Sequence, residues 1–112
     1  MVDNENDASG SNHIVMKESG EGSDYDWRIL GVFAEFQEAL VFAWKCAFDD
    51  WTGSISVHTW DRDVGRSADV THLSSQKLRR DWVSAELARM SESIDRGIVP
   101  EVLARYTGTR PL

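Results

Sequence analysis

The sequence predicts a small single α+β domain, in which a mainly antiparallel sheet of three to four strands packs against two longer helices and a short C-terminal helix. Three observations predict this class. The chain has 112 residues, which is the usual size of one domain. Its centre, residues 27–60, reads as a strand, a long apolar helix and a second strand. Hydrophobic residues make up 41 % and charged residues 28 % of the chain, as in ordinary globular proteins.

Residues 1–12 are polar, acidic and poor in apolar groups. They bury too little surface to offset the entropy lost on ordering, so we expect a disordered acidic arm. Residues 1–26 hold seven acids and one base, which is −6 of the overall net charge of −7. The arm is either a solubilising tail or an acidic segment that meets a basic partner. The folded domain is predicted over residues 13–108, followed by a frayed tail at 109–112.

Four strands are predicted, at about residues 13–18, 27–33, 54–60 and 69–73. The second carries apolar side chains on both faces, which is typical of a central strand that is covered on both sides. In the third strand, Ile55, Val57 and Thr59 alternate with Ser56, His58 and Trp60. This alternation predicts that Ile55 and Val57 face the core, and that His58 and Trp60 lie on a solvent-exposed side.

Helices are predicted at about residues 34–51, 74–96 and 100–106. Helical periodicity gives the first of them a core face, which comprises Phe36, Leu40, Ala43, Ala47 and Trp51. A second apolar stripe on its flank comprises Val41, Trp44 and Phe48, and it either packs within the domain or contacts another chain. The second helix carries a stripe that faces the sheet, comprising Val83, Leu87, Met90 and Ile94. Gly97 is predicted to end that helix.

A metal site is not predicted. The spacing of Asp61, Asp63 and Gly65 resembles the opening of a calcium loop, but that loop requires an acid or amide in place of the glycine. It also requires glycine where Arg66 stands, and a bidentate glutamate where His72 stands. A zinc site needs clustered cysteine and histidine, whereas this chain has a single cysteine and three scattered histidines.

Catalysis, cofactor binding and direct nucleic-acid binding are not favoured either. The sequence contains no nucleophile elbow, phosphate-binding loop or dinucleotide fingerprint, and no cofactor is predicted. Cys46 lies in an apolar helix, where we expect a small buried hydrophobe. Lys77, Arg79, Arg80 and Arg89 form a basic helix face, but the chain as a whole is acidic and would repel phosphate.

The sequence shows neither a signal peptide nor an apolar run of the ~18 residues that span a bilayer. We therefore expect a cytoplasmic protein without membrane contact.

The feature of the sequence that favours protein binding is its content of tryptophan. Five tryptophans are more than a small core accommodates with their N–H groups satisfied, so one or two are expected at the surface. Trp60 is flanked by Asp61 and Asp63, in a stretch from Glu35 to Asp69 that holds seven acids and three bases. Exposed tryptophan is typical of interface hot spots. The predicted partner-binding residues are Trp60, Asp61, Asp63, His58, Asp69, Glu38 and Asp49.

The short domain, the acidic segments D-N-E-N-D and E-S-G-E-G-S-D-Y-D, and the lack of catalytic motifs resemble small phage or mobile-element proteins, anti-CRISPR inhibitors among them. This resemblance is one of type and is based on size and charge. It implies a non-enzymatic inhibitor that occupies the basic surface of a nucleic-acid-handling protein. The basic helix from Lys77 to Arg96 departs from a uniformly phosphate-like surface and indicates a bipolar one.

Two other functions stay open. One is a homo-oligomeric structural or regulatory module, in which a homodimer forms through Val41, Trp44 and Phe48. The other is an enzyme whose site carries no familiar motif.

Overall fold

The computed structural model describes residues 11–20, 22–49, 54–61 and 65–111. Its strands are β1 Ser11–Ser19, β2 Asp26–Phe33, β3 Ser54–Asp61, β4 Arg66–Leu73 and β5 Thr107–Pro111. Its helices are α1 Phe36–Asp49, α2 Ser75–Asp81 and α3 Ser84–Asp95, with 3₁₀ turns at Gly22–Asp24 and Glu101–Tyr106. The predicted α+β class is confirmed, and the described sheet has five strands instead of three to four.

The sheet is antiparallel throughout, in the order β2-β1-β3-β4-β5. β1 and β2 form a hairpin whose turn includes Gly20 at φ +78, where an added Cβ would lie 2.2 Å from the carbonyl oxygen of Asp24. The chain then crosses one face of the sheet as α1 and returns as β3 on the other side of β1. The prediction that β2 is a central strand is wrong for the described sheet, in which β2 lies at one edge and β3 at the centre.

A β-bulge explains the apolar pattern of β2. Val15 pairs with Gly31 but Met16 pairs with Ile29, so Leu30 is an extra residue in β2. The bulge reverses the alternation at this point. As a result Ile29 and Val32 lie on the same face of the sheet, whereas a regular strand would place them on opposite faces.

The core lies between the sheet and α1, with α3 packed against α1. The buried positions of α1 are Ala39, Ala43, Trp44 and Ala47, so the helix is rotated from the predicted core face, and Leu40 is only half-buried. Alanine at three of these positions lets the helix approach the sheet closely. Trp44 is 0 % exposed, and its Nε1 has no hydrogen-bond partner among the described residues.

The burial of Trp44 also shows whether the second apolar stripe packs within the domain or contacts another chain. Trp44 lies in the core of the domain, and Val41 and Phe48 are partly buried against the same core. The stripe therefore packs within the domain, and Trp44 is not available as part of a seam between two copies. The predicted core residue Trp51 lies outside the described residues.

The single helix predicted over residues 74–96 is in fact two helices. Trp82 adopts an extended conformation, with φ −132 and ψ 150, which ends α2. The break lets the Trp82 ring pack edge-on against Tyr106, with 5.4 Å between ring centroids, while the Tyr106 hydroxyl donates to Asp81 Oδ2 at 3.0 Å. Met90 and Ile94 are buried as predicted, but Val83 is 70 % exposed because it lies in the break.

Gly97 ends α3 as predicted. At φ +83 it forms a Schellman motif, in which its N–H donates to the Ile94 carbonyl and the Ile98 N–H donates to the Ser93 carbonyl. The short C-terminal helix has 3₁₀ geometry.

Both predicted ends of the domain need correction. The tail expected to be frayed is strand β5, whose Thr109 Oγ1 lies 3.2 Å from Thr71 Oγ1 on β4. The predicted acidic arm included residues 11–12, which belong to β1, while residues 1–10 lie outside the described ranges.

Candidate functional site

The two faces of the sheet differ in what covers them. Val15, Ile55 and Val57 point toward α1 and are buried. Residues that alternate with them point to the opposite side, which we call the open face. On β3 these are Ser56, His58 and Trp60, as the sequence predicts, and on β1 they include Ile14 and Met16.

Large apolar side chains occupy the open face along the edge strand. Trp27, Ile29 and Val32 pair with Glu18, Met16 and Ile14 of β1, and directly paired residues share a face. All three β2 side chains are between 53 and 57 % exposed. We call Trp27, Ile29, Val32, Ile14 and Met16 the edge patch.

Two more aromatic residues border the edge patch. Tyr25 is 50 % exposed, and its hydroxyl donates at 2.7 Å to Oε1 of Glu18, the residue that pairs with Trp27. Trp60 is 37 % exposed and pairs with Asn12, the next open-face position beyond Ile14. Farther across the sheet, Ser56 and Val70 are buried, so the exposed apolar side chains that the structure describes on the open face lie in the half nearest β2.

The margin of the edge patch is acidic. Glu18 lies on the open face opposite Trp27, and its hydrogen bond raises the pKa of Tyr25, with smaller contributions from desolvation and from the charges of Glu18 and Asp26. Asp24 is exposed just before the start of β2, and Glu35 is exposed just beyond its end. Asp26 alternates to the other face, where its Oδ2 lies 3.9 Å from Arg28 Nη2. A partner that covers the patch therefore meets carboxylates at its rim.

The predicted partner-binding residues do not form one face. Trp60 and His58 lie on the open face, whereas Asp61 follows Trp60 in the strand and Asp69 pairs with Thr59, so both alternate to the other side. Glu38 lies in the first turn of α1 and Asp49 in its last turn, both exposed and on the helix that covers the opposite face. Asp63 lies outside the described residues.

Sequence reasoning missed the strongest part of the surface, which comprises Tyr25, Trp27, Ile29 and Val32. The apolar pattern of residues 27–33 predicts a strand that is covered on both sides, and Tyr25 lies before that predicted strand. The signal that would have found them is indirect: the turn after residue 19 predicts a β1–β2 hairpin. If β3 then pairs with β1, the strand β2 is left at the edge.

The histidines are partly buried and lie on both faces. His58 and His72 are diagonal neighbours on the open face, and neither Nε2 has a hydrogen-bond partner among the described residues. Burial lowers the pKa of His58, the charge of Glu18 opposes this shift, and His72 adds to it. On the covered face, His13 Nδ1 lies 3.0 Å from Thr59 Oγ1, and burial lowers the pKa of His13 against the charge of Glu35.

Neither metal chemistry nor thiol chemistry has a prepared site in this part of the chain. Within the described ranges, no three His, Cys, Asp or Glu side chains are grouped so as to hold a metal ion. Cys46 is half-buried in α1, and burial raises the pKa of its thiol, with Asp49 adding to the shift and Lys45 opposing it. Since the thiolate is the nucleophile, a raised pKa lowers the share of the reactive form of Cys46 at neutral pH.

None of the described helices combines the length and the apolar character needed to cross a membrane. Comparison with protein families, with curated proteins and with solved structures finds no match to this chain.

Proposed function

We propose that this protein is a small non-enzymatic binding protein that occupies the surface of a protein partner through the edge patch. The observation that carries the proposal is the alignment of Trp27, Ile29 and Val32 on the edge strand, each more than half exposed. Burying apolar surface stabilises an association by about 25 cal/mol per Å². Contiguous exposed apolar surface on a small domain is typical of interaction sites.

The aromatic residues support a protein partner in particular. Trp and Tyr are enriched among the few interface residues that dominate binding energy. Here Tyr25 and Trp27 lie together at one end of the patch, and Trp60 lies near the other end. The predicted hot spot Trp60 thus stays part of the proposal, as a border residue of the patch.

The charges indicate the chemistry of the partner. The patch is bordered by Glu18, Asp24 and Glu35, and the chain carries a net charge of −7. A complementary partner has an apolar centre surrounded by lysine or arginine, and opposite charges of this kind speed association. The basic surface of a nucleic-acid-handling protein, which the resemblance to anti-CRISPR inhibitors implies, has this chemistry. Covering such a surface would make the protein an inhibitor.

Self-association is the second candidate, and the position of β2 favours it. Among the described strands, β2 has a neighbour on one side only, and a second copy can pair with its other side about a two-fold axis. Light scattering on the purified chain separates the two candidates. A stable dimer that is lost on substitution of Ile29 would support self-association, and a monomer supports a different partner.

The test uses two matched pairs of substitutions. Ile29→Ser/Val32→Ser removes two exposed apolar side chains from the patch, and Ile98→Ser/Val83→Ser removes two of similar exposure elsewhere. A partner is first captured from cell lysate and purified, and its Kd is then measured for each variant. Loss of an interface hot spot costs about 2 kcal/mol or more, which is roughly a 30-fold weaker Kd. We expect that loss for the patch variant and a change under about twofold for the control.

Equal Kd values for the two variants would contradict the proposal. The salt dependence of the association rate is a second test. Salt screens charges over a Debye length of about 8 Å at physiological ionic strength, and this weakens the attraction of a basic partner to an acidic rim. An association rate that is insensitive to salt would argue against a basic partner.

A further inference from the structure

A small cleft lies between α2 and the ends of β3 and β4 that are farthest from Trp60. Its volume is about 280 Å³, and its lining includes Ser54, His72, Ser74, Gln76, Lys77 and Arg80. Ligand sites for drug-sized molecules usually occupy about 300–1,000 Å³. The cleft is therefore suited to a small chemical group and is too small for a large cofactor.

The charge of this cleft is opposite to that of the chain. Lys77 and Arg80 are three residues apart on α2, so their side chains are neighbours on the helix surface. Like charges at this spacing repel each other. No described carboxylate lines the cleft to neutralise them, although the chain as a whole has a net charge of −7. An anion bound between the two cations would remove the repulsion.

The rest of the lining supplies hydrogen-bond donors. Ser54 and Ser74 carry hydroxyl groups, and Gln76 carries an amide. His72 also lines the cleft, but its Nε2 is buried and is not exposed to a group bound there. A phosphate group accepts several hydrogen bonds at once, and bonds between charged donors and phosphate are about twice as strong as neutral ones.

We propose that this cleft binds a phosphate group, held by Lys77 and Arg80 with donors from Ser54 and Ser74. The group is either free inorganic phosphate or the head of a phosphate monoester. This activity is separate from partner binding, since the edge patch lies on β1 and β2 and the cleft lies on β3, β4 and α2. Failure of one proposal leaves the other standing.

The experiment is a titration of the ¹⁵N-labelled full chain with sodium phosphate, with chloride at the same ionic strength as the reference. Lys77→Gln/Arg80→Gln removes both cations of the cleft. Arg89→Gln/Arg96→Gln removes two exposed cations, one on α3 and one at its C-cap, which are paired with Glu86 and Glu92, and gives the same change in net charge. All four side chains are exposed, so the spectrum of each variant should keep the dispersion of the folded chain.

We expect saturable shifts of the Ser54 amide and of the amides from Leu73 to Lys77, at least tenfold weaker binding in the cleft variant, and a change within twofold in the control. No saturable shift with phosphate, or the same loss in both variants, would overturn the proposal.

Phenyl phosphate distinguishes the two sources of the group. Binding at least fivefold tighter than inorganic phosphate, with shifts at the same amides, would assign the cleft to a phosphorylated ligand. Equal or weaker binding at those amides would assign it to free phosphate. Shifts confined to the edge patch would show that the aromatic ring binds there and would contradict phosphate recognition by the cleft.

Discussion

Both faces of the sheet carry apolar side chains, but these side chains differ between the two faces in how far they are buried. Along β1, Val15 is fully buried, while its neighbours Ile14 and Met16 point away from α1 and stay partly accessible. The contrast is sharper between Val57 on β3, which is 0 % exposed, and Val32 on β2, which is 57 % exposed. Hydrophobicity alone thus does not define the core of this protein. Two features explain the contrast: α1 packs on the face that carries Val57, and Val32 lies on a strand at the edge of the described sheet, whereas Ser56 and Val70 farther across the open face are buried.

The largest expected effect is on the covered face. Trp44→Ala removes the largest fully buried side chain and should lower the free energy of unfolding by about 3–5 kcal/mol. Trp44→Phe should cost less, because it also removes an indole N–H that lacks a partner among the described residues, and an unpaired buried donor costs about 1–3 kcal/mol. Urea unfolding measures both. A cost below about 1 kcal/mol for the alanine variant would mean that α1 is not docked on the sheet.

The sharpest test of the comparison uses one substitution on both faces. Val57→Ala should lower the free energy of unfolding by about 2 kcal/mol, since it removes buried methyl groups and leaves a small cavity. Val32→Ala should change it by no more than about 0.5 kcal/mol, as at other exposed sites. Equal costs at the two positions would show that another molecule, such as a second copy, covers the open face in solution.

The smallest effect concerns His58. Its pKa in the folded chain is lowered from 6.5, chiefly by burial, so its stabilising contribution is full above 6.5 and is lost as the pH falls through the lowered value. Glu18 opposes this shift and His72 adds to it. His58→Gln should therefore lose less unfolding free energy than the wild type between about pH 7.5 and about pH 5.5.

The pKa of His13 is lowered in the same direction, so a double variant with His13→Gln should show a flatter pH dependence still. An unchanged pH dependence in the single variant would mean that His58 is accessible to water in solution.

Local patterns predicted part of the fold. The first helix, expected over residues 34–51, is Phe36–Asp49; the alternation of β3 is confirmed by the burial of Ile55 and Val57; and Gly97 ends its helix. Features that depend on contacts distant in sequence were not predictable. The helix break at Trp82 depends on Tyr106, and β5 depends on pairing with β4, because T-G-T-R-P-L has little strand character of its own.

The candidate site was predictable only in part, for a similar reason. The sequence predicted an exposed Trp60 because alternation along one strand is a local property. It did not predict the edge patch, since neither the strand order nor the bulge at Leu30 is written in the pattern of β2. The acids expected around Trp60 were grouped by their nearness in sequence, and the pleat of the sheet sends Asp61 and Asp69 to the other side.

The bulge at Leu30 also bears on how the protein behaves when it is concentrated. A flat, apolar edge strand is a template on which further chains add one after another, as in amyloid. The extra residue interrupts the regular spacing of N–H and C=O groups along β2. Arg28 and Asp26 place two charges on the same strand, with 3.9 Å between Arg28 Nη2 and Asp26 Oδ2. The apolar side chains of β2 can thus bind the proposed partner, while the bulge and the charges on the same strand hinder the growth of fibrils.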